Sequence, residues 1–194
     1  GIRDRSPSRG LGDVYKRQYT DSASEIIVGP KFLRITDIQE GNVIWNNVPY
    51  CNCSGSDFEK YQLIDGDIVF ARTGATTGKS YLIKNPPIAV FASYLIRVRI
   101  NELFYPEFVS HFFKSSMYWT QINSHISGSA QGGVNAKKLS SLKIVLPKLE
   151  EQLKISKFFE NTESTIEVYV NHVKKLSELK RKLTLELLSG KLNI

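Results

Sequence analysis

LEEQLKISKFFENTESTIEVYVNHVKKLSELKRKLTLELL, residues 149–188, decides how this chain is read. From Ile166 its apolar positions run Ile166, Tyr169, Val173, Leu176, Leu179, Leu183 and Leu187. The steps are 3, 4, 3, 3, 4 and 4, an average of the 3.5 residues that define a coiled-coil seam. Lys174, Lys175, Glu178, Lys180, Arg181 and Lys182 fill other faces, and Glu178 to Lys182 is a favourable i,i+4 pair. Pro147 precedes the start, Glu150 and Glu151 complement the positive end of the helix dipole, and Gly190 follows as a stop signal. At about 1.5 Å per residue the helix is roughly 60 Å long. That is longer than the domain before it, so much of the seam needs a partner. The expectation is a spacer or dimer arm; the plainer alternative is an amphipathic helix folded back on its own core.

The rest of the chain sets the class. Its 194 residues suit one domain of about 150 residues plus an appendage. A hydrophobic content of 41%, with 11% aromatic residues, supports a packed core rather than a disordered chain. No apolar run approaches the roughly 18 residues of a membrane span, and no signal peptide is visible. Cys51 and Cys53 are too close for an unstrained disulfide and lack a Cys or His cluster for zinc, so they read as free thiols in a reducing cytoplasm. The net charge of +7 permits nucleic-acid binding, but residues 1–18 supply +3 of it and leave +4 for the remainder.

Residues 1–18, GIRDRSPSRGLGDVYKRQ, have neither helical nor strand periodicity. They read as a vector, tag or gene-boundary scar rather than a basic nucleic-acid arm, and are set aside as a non-native or disordered tail. Short strands are expected at 32–35, with 43–45 as hairpin partner, then at 67–72, 80–83, 88–92 and 95–100. Residues 46–60 read as loop, and the alternation of Arg97 and Arg99 suggests a solvated face. Helical periodicity starts at Pro106 and continues through Ile122. Residues 127–136 form a glycine-rich loop, 137–139 begin a connector, and 142–147 form a last strand. The fold class is α+β: a mixed domain of short strands and helices over 19–147, followed by one long coiled-coil helix over 148–194.

Gly74-Ala75-Thr76-Thr77-Gly78-Lys79-Ser80 superficially matches a phosphate-binding P-loop, but that motif has four residues between its glycines and a helix after the lysine. Here there are three, and Tyr81-Leu82-Ile83 reads as strand. Asn85-Pro86-Pro87-Ile88 lacks the aromatic that stacks on a flipped base, so it reads as a proline turn. Asp65-Gly66-Asp67 is turn chemistry, and His111, His125 and His172 have no metal or triad spacing. No catalytic site or cofactor is expected. A binding surface remains: Arg72, Thr73, Thr76, Thr77 and Lys79 on one loop, and Gln131, Asn135, Lys137 and Lys138 on another. Lysines suit phosphates and amides suit base edges. Two merely solvated glycine loops are the alternative.

GDIVFARTGATTGKSYLI (66–83), SYLIRVRI (93–100), SGSAQGGVNAKKLSSLKIVLPKLEEQLKI (127–155) and LLSGKLNI (187–194) together resemble the specificity subunit of Type I restriction–modification systems. The resemblance spans roughly 31–194. It implies a target-recognition domain without catalytic residues that reads one half of a split double-stranded DNA target through the major groove. It further implies that the Leu146–Gln152 junction opens a spacer helix, and that the helix docks methyltransferase subunits and, through them, the restriction subunit. A full-length subunit resembles two domain-plus-helix units in tandem, and this chain carries one. The expectation is therefore a half-subunit that pairs with a copy of itself or with a second half-subunit, or a fragment of a longer gene. The family's opening strand region is missing or replaced by residues 1–18, although Leu11-Gly12-Asp13-Val14 echoes it. The rival readings are a coiled-coil assembly scaffold without DNA specificity and, more remotely, a nucleotide binder through residues 74–80.

Overall fold

The strand Ile68–Ala71 (β5) is buried at every position, so both of its faces must be covered. Ile68 and Phe70 point into one hydrophobic cluster, while Val69 between them joins another. This is the alternation of a pleated strand. The computed structural model describes residues 12–16, 22–39, 41–127 and 133–190. The chain divides into two compact units, Gly1–Leu153 and Lys154–Ile194.

In the first unit β5 pairs antiparallel with Leu95–Ile100 (β8) on one side and Ser80–Leu82 (β6) on the other. Gly12–Lys16 (β1) adds an antiparallel edge strand to β8, giving the order β1-β8-β5-β6. That corrects the exclusion of residues 1–18 for this segment. Gly12-Asp13-Val14-Tyr15-Lys16 carries no strong strand pattern of its own and gains its conformation from the ladder, with Val14 packed against the core. The hairpin expected between 32–35 and 43–45 does not form. Instead Lys31–Leu33 (β2) pairs in parallel with Ala89–Phe91 (β7), and the two-residue strands Ile38–Gln39 (β3) and Asn42–Val43 (β4) pair with each other. Pairing distant in sequence leaves no local signal, because only the fold brings β2 and β7 together.

One face of the four-stranded sheet is covered by Pro106–Lys114 (α2) and Ser116–Ser127 (α3), separated at Ser115, whose hydroxyl and N–H both donate to the Phe112 carbonyl. Phe70, Phe113 and Tyr118 pack edge to face, with centroids 4.7 Å (Phe70–Phe113) and 5.2 Å (Phe113–Tyr118) apart. Side chains of this size contribute about 1.5–3 kcal/mol each on burial. The opposite face is covered by β2, β7 and Gly55–Tyr61 (α1), a seven-residue helix lying where a loop was expected. Its opening Gly-Ser-Asp is turn-like in composition, yet Tyr61 packs edge-on against Phe91 at 5.8 Å, and that burial favours the helix. Cys51 and Cys53 are buried in the same layer and are not joined in a disulfide.

The alternation at Arg97 and Arg99 does not mark a solvated face. Arg97 is only 2% exposed, lies 5.5 Å from the Phe91 ring centroid, and donates from Nη1 to the Gln62 carbonyl at 2.7 Å. Arg99 forms a two-pronged pair with Asp67, Nε to Oδ1 at 3.0 Å and Nη2 to Oδ2 at 3.1 Å. Asp67 Oδ2 also accepts the Ile64 N–H, so this one carboxylate ties a turn to the central strands. Charged residues can alternate on a buried face when each meets fixed partners, which periodicity alone cannot reveal.

The last expected strand, 142–147, has no regular secondary structure and joins no sheet. Leu142 and Ile144 are buried, while the backbone of Lys143 between them is paired by a side chain. Gln121 Nε2 donates to the Lys143 carbonyl at 2.9 Å, and Gln121 Oε1 accepts its N–H at 2.8 Å. Before it, Ala136–Ser140 forms the short helix α4 in place of a connector.

Helix α5 runs from Leu149 to Leu188, as its period requires. Its first turn belongs to the first unit, and there the buried Gln152 accepts the Tyr105 N–H (2.8 Å) and donates to the Leu103 and Pro147 carbonyls (3.2 and 3.0 Å). In the second unit, Thr162, Thr165, Ser177 and Thr184 each donate to the carbonyl four residues earlier, so these hydroxyls are satisfied within the helix.

Replacing Asp67 by Ala removes the carboxylate that pairs with Arg99, whose Nη2 still donates to the Gln62 carbonyl at 3.2 Å, and takes away the acceptor of the Ile64 N–H. The expected cost is about 2–3 kcal/mol in urea denaturation with an unchanged m-value, at the lower end for a buried pair because Arg99 is partly solvated. A loss under about 0.5 kcal/mol would remove this pair from the framework.

Candidate nucleic-acid interface

The loop between β5 and β6 is a closed structure. The Ala71 N–H donates to the Lys79 carbonyl and the Gly78 N–H to the Ala71 carbonyl, both at 2.9 Å. Inside the loop the Lys79 N–H donates to the Thr76 carbonyl at 2.9 Å, and the Thr77 N–H and hydroxyl both donate to the Gly74 carbonyl, at 3.1 and 2.6 Å. Gly74 and Gly78 both have φ of +84°, a conformation that glycine adopts without steric cost. Lys79 leads directly into strand β6, so the lysine does not cap a helix and the loop is not a P-loop. Asn85, with φ of +43°, sits in the turn that the two prolines follow.

The second candidate loop lies beside the first. Val134 N–H donates to the Arg72 carbonyl at 3.0 Å, bringing Arg72–Lys79 and residues 133–138 together although some sixty residues separate them. Neither stretch contains a carboxylate, and between them they carry Arg72, Lys79, Lys137 and Lys138. Thr73, Lys79 and Lys137 are exposed, whereas Arg72, Thr76 and Thr77 are half-buried. Asn135 is exposed too, but its Oδ1 caps α4 by accepting the Lys138 N–H at 2.9 Å. Lys138 is half-buried and donates from Nζ to the Gly133 carbonyl at 2.9 Å. Gln131 lies outside the described residues. A polyanion approaching this surface therefore meets the exposed ammonium groups of Lys79 and Lys137 first, with Asn135 and Lys138 serving in part to hold the second loop.

Two residues of α3 that sequence reasoning placed only on an amphipathic face also belong to this site. Tyr118 is fully buried and its hydroxyl donates to the Gly78 carbonyl at 2.5 Å. Burial pushes its phenol well above the ordinary tyrosine range, so it stays a donor at any physiological pH. Trp119 lies against Gly78 so closely that a Cβ there would stand 3.2 Å from its ring. A buried tyrosine needs a partner for its O–H, and that was the one signal in the sequence that α3 does more than fill space.

In the second unit, the seam residues Ile166, Tyr169, Val173, Leu176, Leu179, Leu183 and Leu187 are all 43–66% exposed. No helix among the described residues is long and apolar enough to cross a membrane.

Comparison with known proteins places this arrangement. The EcoKI specificity subunit of Escherichia coli (strain K12) is 30% identical over 154 residues, which cover 75% of this chain and 33% of that protein. The putative MjaX specificity subunit of Methanocaldococcus jannaschii is 25% identical over 177 residues, covering 87% and 41%. Among solved structures, the HsdS subunit from Thermoanaerobacter tengcongensis has a TM-score of 0.61 at 16% identity, covering 80% of this chain and 36% of that one. A chain from a study of assembly and conformational transition of the type I R-M system reaches 0.68, also at 16% identity, covering 88% and 41%. These structures show that the fold is shared. This chain spans about a third of the EcoKI subunit and about two-fifths of the MjaX one. The model of the Type I restriction modification DNA specificity domain matches residues 11–181, from the edge of the sheet through most of α5. The chain belongs to that family.

Proposed function

We propose that this chain is a sequence-specific DNA-binding subunit of a Type I restriction–modification complex. It reads one half of a split double-stranded target, itself without catalysis, and docks methyltransferase subunits and through them the restriction subunit. The observation that carries the reading is the Val134–Arg72 bond, which joins two acid-free loops into one surface bearing the exposed Lys79, Lys137 and Thr73. Such groups are hydrogen bonders and cations rather than acid–base pairs, which suits recognition over chemistry. On this reading Lys79 and Lys137 contact phosphates. Arg72, Thr73, Thr76 and Thr77 border the base-reading surface, and Gln131, Asn135 and Lys138 belong to the second loop. The surface recognises duplex DNA, and its companions share the cytoplasm with that DNA.

The α5 seam serves assembly: Ile166 to Leu187 packs against the same seam of a second copy, or of a second half-subunit, as an antiparallel coiled coil. Exposure of every seam position supports this, because an apolar stripe of that length is stable in water only when covered.

The reading is tested by capturing the intact chain with its methyltransferase subunit on randomised duplex DNA and sequencing what is retained. The expected result is a short motif enriched as an inverted pair. A stable protein complex without enrichment would instead favour the scaffold. Lys79→Ala and Lys137→Ala should each weaken binding and lower the slope of log affinity against log salt by about one unit per lost phosphate contact. Unchanged slopes would remove both from the interface. For the helix, Leu176→Asp with Leu183→Asp should convert dimers to monomers in sedimentation velocity, and a surviving dimer would place the contact elsewhere.

A further inference from the structure

We propose that Tyr118 is a positioning residue for DNA recognition: it holds the β5–β6 loop in its binding conformation before any DNA arrives. This rests on the DNA-reading function proposed above. The Tyr118 ring is fully buried and is fixed by edge-to-face contacts with Phe113, Phe112 and Trp119. Its hydroxyl emerges from that cluster at one place, the Gly78 carbonyl. Gly78 is itself buried, whereas Lys79, the next residue, is exposed. The backbone on either side of the Gly78–Lys79 peptide is thus anchored: Gly78 N–H to Ala71, Gly78 carbonyl to Tyr118, Lys79 N–H to Thr76, and Lys79 carbonyl to the Ala71 N–H.

An exposed lysine on a free glycine loop would lose backbone entropy on binding, since each residue fixed costs about 1–2 kcal/mol. Here that cost is met during folding, where the aromatic core supplies the rigidity. Affinity then gains by preorganisation without Tyr118 touching DNA. The positive φ of Gly78 and the Trp119 ring against it restrict the loop from the other side.

Tyr118→Phe in the full chain tests this by two readouts. The first is amide hydrogen exchange without DNA. Gly78 and Lys79 should lose protection while the amides of β5 and β8 keep theirs; uniform loss, or none, would overturn the positioning role. The second is binding to a randomised 40-base-pair duplex pool across a salt series. Affinity should fall about 5–10-fold, the size expected for one unmade hydrogen bond to a buried carbonyl, at an unchanged salt slope. A lowered slope would make Tyr118 part of a phosphate contact, and unchanged affinity would show that the loop is ordered without it. Either result would overturn the proposal. If the unsubstituted chain does not bind the pool, the DNA reading fails, and amide exchange alone decides whether Tyr118 orders the loop. Gly78→Ala is the second variant. Its Cβ meets Trp119 and its φ is strained, so the same local loss of protection and the same unchanged slope are expected. Full protection in that variant counts against the proposal.

Discussion

A strand with both faces buried can satisfy its backbone only through its neighbours, and β5 is that strand here. Because water is excluded from both sides, β6 and β8 must supply its hydrogen bonds, and the segments leading into it are drawn toward the same plane. Its turn-side end is held by the Asp67 carboxylate, which gathers the Ile64 N–H and the Arg99 guanidinium. Its other end leads into Arg72, whose N–H donates to the Tyr94 carbonyl and whose carbonyl accepts from Val134. The candidate binding surface thus begins where the obligatory ladder stops, and its two loops meet through an ordinary backbone bond beyond the end of a core strand.

Much of this was legible in the sequence because the signals were local. The continuous apolar run of Ile68-Val69-Phe70-Ala71, the seven-position seam in α5, and the glycine spacing that excluded a P-loop each lie within a few residues of one another. What was not legible depended on distance. The parallel β2–β7 pair, the β1 edge strand and the Val134–Arg72 bond all join segments whose proximity no local period encodes. Polar residues misled for a related reason: Arg97 looked solvated because the Gln62 carbonyl that accepts its hydrogen bond lies 35 residues away, and the Phe91 ring it faces, though nearer in sequence, sits on a strand of a different sheet. Gln121 replaces a strand neighbour at Lys143, so a segment with a good strand pattern remains outside every sheet.

The site residues divide along the same line. Residue type alone singled out Lys79, Lys137 and Lys138 alike, with six neighbours, and the structure leaves Lys79 and Lys137 exposed but Lys138 half-buried. It could not show that Asn135 and Lys138 are partly engaged in holding their own loop, because capping and donation to a carbonyl depend on the exact backbone path. Nor could it show the bond from Tyr118 to the Gly78 carbonyl, because by composition Tyr118 is simply one of two adjacent aromatics in α3.

The separation between Gly78 and its neighbours has a consequence for how such a domain tolerates change. Thr73, Ala75 and Lys79 are exposed and carry no core packing, and surface positions of that kind usually shift stability by less than about 0.5 kcal/mol when replaced. Gly78, with its positive φ and a tryptophan ring against it, has no such latitude. The loop is therefore a fixed frame with interchangeable lettering: its outward chemistry can drift through many substitutions while the fold keeps an almost constant free energy.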